Sequence, residues 1–177
     1  MKYVALLRGI NVGGKAKVEM ARLKTVFENL GFVDVVTYIN SGNVIFVDKN
    51  KIPDKVQLIE KAIKKEFGFA VPVIIRTQEA IKALLHNIPN SWTNDQQQRT
   101  DVLFLWDEVD DPDVMKSIAY KADIETFIYL AGAVVWNVAR ENVRRGSGPK
   151  LIGTELYKHM TVRNINTVRK LDELMSG

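Results

Sequence analysis

Two helix-length segments that both stop at a glycine constrain the fold of this chain more than any other feature. Apolar residues recur at helical spacing over residues 20–30, and the pattern stops at Gly31. Residues 56–67 repeat the pattern, which stops at Gly68. Glycine is favoured just after a helix because it adopts the left-handed conformation without a steric penalty. The sequence therefore predicts two amphipathic helices of similar design, each with one buried face.

Short β-rich apolar runs surround these helices, and their order predicts the topology. The runs lie at residues 3–10, 35–39, 44–47 and 71–75. The two middle runs flank the turn Asn40-Ser41-Gly42-Asn43, whose Asn and Gly residues tolerate the positive φ of a tight hairpin. The resulting order, βαββαβ, is that of the ferredoxin-like sandwich, with both helices on one face of the sheet.

The second half of the chain repeats this order in a diverged form. Its predicted elements are a strand at 101–106, a short helix carrying Val114, Ile118 and Ala122, a hairpin of 126–130 with 133–138, and helical stretches near 154–160 and 164–175. This order is βαββα, without a clear final strand. We therefore predict an α/β (α+β) fold of two ferredoxin-like subdomains, residues 1–90 and residues 91–177 packed on the first, joined near a polar connector at 89–98.

The composition excludes several kinds of site. Cysteine is absent from the 177 residues, so disulfides, thiolate nucleophiles and zinc–thiolate sites cannot form. The two histidines, His86 and His159, lack a metal-ligand spacing, and we expect neither a metal nor a cofactor. No apolar stretch approaches the roughly 20 residues of a membrane span, and the N-terminal apolar run is too short for a signal peptide. We expect a cytoplasmic protein without a membrane partner.

A glycine-rich loop follows the first strand. Gly9, Gly14 and Lys15 fit the G-x-x-x-x-G-K part of a nucleotide-binding loop. Ala16, however, stands where a Ser or Thr hydroxyl would bind magnesium, and the next helix begins only near Glu19. The two hairpins also indicate an antiparallel sheet, whereas such nucleotide-binding proteins use mainly parallel strands. The loop is therefore either an ordinary turn or a non-catalytic anion site built from free backbone amides.

Positive charge is concentrated near the C-terminal end. Residues 140–170 contain eight Lys or Arg and two Asp or Glu, whereas the remaining residues contain 17 bases and 19 acids. Within this segment, residues 144–150 (RRGSGPK) combine bases with a permissive backbone that can wrap a phosphate group. A solvated basic surface is the alternative interpretation.

Three motifs resemble those of a known family. They are residues 8–14 (RGINVGG), 38–46 (YINSGNVIF) and 161–168 (TVRNINTV), and they resemble the signatures of the bacterial family called domain of unknown function 1697. The family pattern has an aromatic residue where Ile165 stands. The resemblance implies an α/β fold with two ferredoxin-like subdomains. It brings no established activity, so no site residue is carried over from it.

We expect a non-catalytic binding module for a phosphate-bearing ligand, either a nucleotide or a nucleic acid. One alternative is an enzyme that acts on a small phosphorylated substrate, with Lys15, Arg144 or Arg163 neutralising charge. Another is that the motif residues only brace loops. The oligomeric state cannot be read from the sequence. The candidate ligand-binding residues are Arg8, Asn11, Gly13, Gly14, Lys15, Asn40, Ser41, Asn43, Arg144, Arg145, Lys150, Arg163 and Asn164.

Overall fold

The computed structural model describes residues 1–14 and 16–177, so Lys15 lies outside the described residues. The chain divides into two compact units, which we call unit 1 (residues 1–79 and 171–177) and unit 2 (residues 80–170). The boundary between the units falls inside two helices, one near each end of unit 2. Each unit contains one four-stranded antiparallel sheet.

Unit 1 has the predicted βαββαβ order. Its elements are β1 (Lys2–Leu7), α1 (Met20–Asn29), β2 (Val33–Tyr38), β3 (Asn43–Val47), α2 (Lys55–Phe67) and β4 (Val73–Thr77). The strands lie in the order β2-β3-β1-β4, so β1 is central and pairs antiparallel with both β3 and β4. The ferredoxin-like prediction for this half is confirmed, including one sheet that contains the first and last strands together with the β2–β3 hairpin.

The core of unit 1 lies between one face of its sheet and the two helices. Alternate side chains of β1 and β3 point to the same face because successive residues of a strand face opposite sides. This core comprises Ala5, Leu7, Val44 and Phe46 from the sheet with Leu23, Phe27, Ile59 and Ile63 from the helices. Phe27 meets Phe46 edge-on, with ring centroids 5.3 Å apart, an arrangement that aromatic pairs favour.

Both helices of unit 1 end as the sequence indicates. Gly68 adopts φ 84° and its amide bonds to the carbonyl of Lys64 at 2.9 Å. Gly31 adopts φ 86°, and the following Phe32 folds back so that its ring lies 6.0 Å from that of Phe27. Positive φ at these positions turns the chain back toward the sheet.

The first and last helices of unit 2 extend across its boundaries, and otherwise the unit contains the remaining helices and strands. They are α3 (Gln78–His86), β5 (Gln98–Leu105), β6 (Glu125–Leu130), β7 (Ala133–Ala139), α4 (Gly148–Leu151), α5 (Glu155–Lys158), β8 (Met160–Asn164) and α6 (Ile165–Ser176). The strands lie in the order β6-β7-β5-β8, which repeats the order of unit 1 with each strand in its equivalent place. Unit 2 therefore has the same ferredoxin-like strand order as unit 1.

Strand β8 corrects the sequence prediction, which had two helical stretches and no final strand in this region. The strand pairs antiparallel with β5, from Asp101 opposite Asn164 to Leu105 opposite Met160. It has only five residues and lies directly between α5 and α6. A strand this short has too few alternations to be distinguished from the flanking helical pattern.

The helix predicted after β5 also differs from the structure. A 3₁₀ helix spans Pro112–Ser117, and Asp111 caps it by accepting the amide hydrogen of Asp113 at 2.8 Å. Val114 and Ile118 are buried as expected, but Ala122 is exposed, so its placement on the buried stripe is wrong. A 3₁₀ helix has three residues per turn, so it does not continue an apolar stripe spaced for an α-helix.

The two units differ in the length of the helices that cover their sheets. In unit 1, the connections between outer and inner strands contain helices of 10 and 13 residues. In unit 2, the equivalent connections contain short 3₁₀ helices and two α-helices of four residues each, α4 and α5. Such short elements cover less of a sheet face than full helices do.

Candidate functional site

The glycine-rich loop after β1 is held in a tightly turned conformation. Gly9, Asn11, Gly13 and Gly14 all have positive φ, between 54° and 74°. The amide of Asn11 donates to the carbonyl of Ala16 at 3.1 Å, which closes the loop. Helix α1 begins several residues later, and β1 is flanked by antiparallel strands. The loop therefore lacks the strand–loop–helix geometry of a nucleotide-hydrolysing site.

The side chain of Asn11 braces this loop against the hairpin turn. Its amide group donates to the carbonyls of Val18 at 3.0 Å and Asn40 at 2.8 Å, and its carbonyl oxygen accepts the amide hydrogen of Val18 at 2.8 Å. Three hydrogen bonds to the backbone occupy both ends of the side chain. Asn11 thus has a structural role, and it fixes the distance between the two predicted motifs of unit 1.

The hairpin turn is equally constrained from inside. Asn43 is fully buried, and its side-chain amide donates to the carbonyl of Tyr38 at 2.9 Å and to Oγ of Ser41 at 3.1 Å. Gly42 has φ 82°, and a Cβ atom there would lie 2.7 Å from Cδ1 of Ile10. The turn therefore requires glycine for both its backbone conformation and its close packing. Asn43, like Asn11, acts within the protein.

A cleft of about 380 Å³ lies where the loop meets this turn. The residues that line it are Asn11, Gly14, Lys17, Val18, Glu19, Met20 and Asn40. The amides of Gly13 and Gly14 make no hydrogen bond to any other described residue. Sequence reasoning did not select Lys17, although its position two residues after Lys15 was the available signal. Lys15 itself was predicted to contact the ligand and lies outside the described residues.

The other predicted residues of unit 1 that the structure describes lie near the start of the glycine-rich loop and at the hairpin turn. Arg8 is half-buried, and its backbone amide donates to the carbonyl of Pro72 at 2.9 Å. Asn40 and Ser41 are exposed at the hairpin turn. Of the predicted residues of unit 1, the structure thus brings Asn11, Gly14 and Asn40 to one cleft.

The basic loop in unit 2, residues 144–150, is wrapped around a carboxylate of the protein itself. The amide of Ser147 lies 2.8 and 3.0 Å from the two carboxylate oxygens of Glu125. Glu125 is 4% exposed and also accepts hydrogen bonds from the amide of Lys121 at 2.9 Å and from Nε1 of Trp136 at 2.8 Å. Burial by itself would raise the pKa of Glu125, but these donors together lower it. The buried Ser147 amide is therefore already engaged by an internal anion.

The cations of this segment have two different environments. Arg144, Arg145 and Lys150 are exposed, and Nη1 of Arg145 reaches the side chain of Asn142 at 3.4 Å. Arg163, on β8, is 6% exposed and donates to Oγ1 of Thr161 and to a backbone carbonyl. Burial lowers the pKa of Arg163 to about 10, so the group remains charged at neutral pH.

Asn164 caps the last helix. Its side-chain oxygen accepts the amide hydrogen of Thr167 at 2.9 Å, which is the geometry of a helix N-cap. This residue was selected from the sequence as a ligand contact. Like Asn11 and Asn43, it therefore uses its side chain to satisfy a backbone group.

A second cavity, of about 270 Å³, lies within unit 2 and was not foreseen from the sequence. Its lining comprises Arg99, Asp101, Leu103, Phe127, Trp136, Gly148, Pro149, Leu151, Ile152, Tyr157 and Val162. The alternation Arg99-x-Asp101-x-Leu103 was the available signal, since it places two charged side chains on the same strand face as a core leucine. We call this the unit 2 cavity.

The part of the chain that the structure describes contains neither a candidate metal site nor a helix that could span a membrane. Over residues 1–14 and 16–177, no group of three or more His, Asp or Glu side chains could hold a metal ion. No helix in the same residues is long and apolar enough to cross a membrane.

Comparison with known proteins agrees with the resemblance seen in the motifs. A solved structure of the conserved bacterial protein SP0830 from Streptococcus pneumoniae is similar to this chain, with 30% sequence identity, a TM-score of 0.85 and 98% of each chain covered. No curated protein matches the chain. The family model described as Protein of unknown function (DUF1697) matches residues 1–136. Because that match covers well over half of the sequence, this chain belongs to the DUF1697 family of proteins of unknown function.

Proposed function

We propose that this protein is a non-catalytic binding module for a phosphate-bearing ligand, a nucleotide or a nucleic acid, and that the cleft beside the glycine-rich loop contacts the phosphate. The observation that carries the proposal is that Gly14 and Lys17 line one cleft, and that the backbone amides of Gly14 and of the adjacent Gly13 make no hydrogen bond to another described residue. Successive amides in a turned backbone form a concavity that favours anions.

Two features make the glycines of this loop suited to close approach by a ligand. A Cβ atom at Gly13 or Gly14 would meet no atom of another described residue within 4 Å apart from the chain neighbours, so the loop surface at these positions is open. The bracing by Asn11 holds the backbone in place before a ligand arrives. A binding surface that is ordered in advance loses less entropy on association.

Glu19 also lines the cleft and sets a limit on the affinity. A carboxylate near a bound phosphate weakens its binding by charge repulsion, which is strongest at low ionic strength. We therefore expect modest affinity, and we expect Glu19→Gln to strengthen the binding of phosphate ligands.

The internal hydrogen bonds of Asn11, Asn43 and Asn164 favour a purely structural role for those motif residues. This second interpretation predicts that substitutions of the motif residues reduce the stability of the protein and leave ligand binding unchanged. It is separated from the binding proposal by substitution of Lys17, which is exposed and makes no side-chain hydrogen bond or ion pair to another described residue.

A titration with three forms of phosphate tests the proposal. Inorganic phosphate, ATP and a short single-stranded oligonucleotide are added to the wild type at two salt concentrations, and binding is followed by the amide resonances of Gly13 and Gly14. Hydrogen bonds to charged groups contribute roughly 1.5–3 kcal/mol each, so Lys15→Ala and Lys17→Ala should each weaken binding about tenfold or more. Lys82→Ala, an exposed lysine of α3, is the matched control.

The three ligands distinguish the sources of the phosphate group. Preference for the oligonucleotide with a steep salt dependence identifies a nucleic-acid ligand, because each phosphate contact releases counterions. Preference for ATP identifies a nucleotide. No saturable binding of any of the three ligands would overturn the proposal.

A further inference from the structure

The unit 2 cavity is created by the pairing of strands that are distant in sequence. Asp101 on β5 lies opposite Trp136 on β7, and Trp136 lies opposite Phe127 on β6. Leu103 lies opposite Val162 on β8. Because directly paired residues point to the same face of a sheet, these five side chains form a continuous floor.

The wall of the cavity comes from the short segments that follow β7. Gly148 lies so close to Trp136 that a Cβ atom there would be 2.4 Å from the indole ring. Pro149, Leu151 and Tyr157 continue the lining along α4 and α5. In unit 1 a helix of 13 residues occupies the equivalent connection. The four-residue helices of unit 2 leave an unfilled volume between sheet and wall.

One end of the cavity is polar and consists of an ion pair. Nε of Arg99 donates to Oδ2 of Asp101 at 2.8 Å, and the guanidinium carbon lies 5.3 Å from the centre of the Trp136 ring. Asp101 is 5% exposed. Its Oδ1 atom and the two terminal nitrogens of Arg99 make no hydrogen bond to any described residue. The Arg99 side chain is 38% exposed and Oδ1 of Asp101 is not fully enclosed, so these groups are accessible to an incoming molecule.

The charges at this end cancel, and this selects the kind of head group that fits. A carboxylate would gain from Arg99 but would be placed beside the buried Asp101, and an ammonium group would meet the opposite conflict. Burial of an uncompensated charge is strongly unfavourable. A neutral group that donates to Oδ1 and accepts from Arg99 satisfies both partners without adding charge.

The volume and lining define the rest of the ligand. A water molecule accounts for about 30 Å³ of liquid volume, so a cavity of about 270 Å³ has room for a compact molecule of roughly ten non-hydrogen atoms. The remaining lining is apolar or aromatic, which favours an apolar body. Pockets of this type, apolar with a few convergent polar groups, are the usual form of small-molecule sites.

We propose that the unit 2 cavity is a binding site for a small uncharged molecule with an apolar body and an amide-type head group, which donates to Asp101 and accepts from Arg99. This site is separate from the phosphate cleft of unit 1 and does not depend on it. Benzamide has the required size and head group and serves as the probe.

The first test compares three probes of similar size and different charge. Benzamide, benzoate and benzamidine are titrated into the full chain, and binding is followed by the indole resonance of Trp136 and the methyl resonances of Leu103 and Val162. We expect saturable shifts with benzamide, and binding at least tenfold weaker for each charged probe. Absence of saturable shifts with benzamide, or tighter binding of either charged probe, would overturn the proposal.

The second test replaces the ion pair while keeping the cavity. The double variant Arg99→Met/Asp101→Leu removes both charges together, because removal of one alone would leave the other buried and unpaired. Benzamide should bind this variant at least tenfold more weakly than the wild type. The control is Lys116→Met/Asp113→Leu, which removes an exposed ion pair of unit 2 and should leave binding unchanged. If the Arg99→Met/Asp101→Leu variant bound benzamide as tightly as the wild type, the ion pair would have no part in binding and the proposal would be overturned.

Discussion

The carboxylate of Glu125 organises the loop at residues 144–150 because donors from three segments meet on it. The amides of Lys121 and Ser147 and the indole of Trp136 all donate to it at 2.8–3.0 Å. A buried carboxylate without such partners would be strongly destabilising. The loop conformation and the ionised state of Glu125 therefore depend on each other.

The lowered pKa of Glu125 predicts a pH-dependent contribution to stability. A carboxyl group with a lowered pKa in the folded state contributes stability above its unfolded-state pKa, and this contribution is lost as pH falls through the folded-state pKa. We expect Glu125→Gln to reduce the free energy of unfolding by roughly 1.5–3 kcal/mol at pH 7 and by clearly less near pH 3. Urea denaturation at both pH values measures this.

The exposed Glu141 provides the control for that experiment. Glu141→Gln should leave the free energy of unfolding nearly unchanged at either pH, since surface substitutions usually have small effects. A Glu125→Gln effect that is equal at both pH values would show that the charge of Glu125 is not what stabilises the loop.

Glycine is required at Gly31 for its backbone conformation alone, and at Gly42 for both backbone conformation and close packing. Both have positive φ, 86° at Gly31 and 82° at Gly42. A Cβ at Gly42 would contact Ile10 and Leu7 at 2.7 and 2.8 Å, whereas a Cβ at Gly31 would meet nothing within 4 Å. We expect Gly31→Ala to cost about 1–2 kcal/mol for the left-handed backbone alone, and Gly42→Ala to cost clearly more. Thermal denaturation of both variants makes the comparison, and equal costs would contradict the packing argument.

At the scale of elements, helix α6 begins at a capping residue, Asn164, which is also one of the candidate ligand-binding residues. Asn164 ends β8 and its side chain caps the first turn of α6. One residue thus terminates a strand and starts a helix. Asn164 has both roles because α6 follows β8 directly, without a loop between them.

Substitutions of Asn164 distinguish capping from ligand binding. Asn164→Ala should reduce the free energy of unfolding by about 1 kcal/mol, whereas Asn164→Asp keeps an oxygen that can cap and should be nearly neutral. Chemical denaturation of both variants measures the difference. Equal destabilisation by Ala and Asp would indicate that the amide group has another partner.

At the scale of the whole molecule, the polar connector before β5 is part of the structure of unit 2. The carbonyl of Thr93 accepts from Oγ1 of Thr100 at 2.7 Å, and Asn94 accepts from the side chains of Arg140 and Asn166 at 2.9 and 2.8 Å. The connector lacks secondary structure but binds both β5 and the residues after β7. The connector is therefore an ordered part of unit 2 and not a flexible linker.

This connector decides where unit 2 can be cut. A fragment of residues 99–177 lacks the Thr93 and Asn94 contacts and should be poorly folded, with a broad melting transition and poor dispersion of amide resonances. A fragment of residues 80–177 keeps these contacts and should melt more cooperatively. A sharp melting transition for the shorter fragment would contradict the role assigned to the connector.

The sequence by itself determined the order of the elements in unit 1 and the ends of its helices. Those features are local, since hydrophobic period and glycine conformation act within a few residues. It also predicted the repeated βαββα order of unit 2, but it missed β8, whose five residues carry too weak a pattern. The family resemblance in its motifs is confirmed as well.

Only the tertiary structure decided what the polar residues do. The sequence offered Asn11, Asn43 and Asn164 as ligand contacts, and the structure engages all three with backbone groups. It also brings together Asp101, Trp136 and Val162, which no local pattern joins, through the registers of three strands. Strand register depends on pairing between distant segments, so a cavity built on it appears only when the sheet has formed.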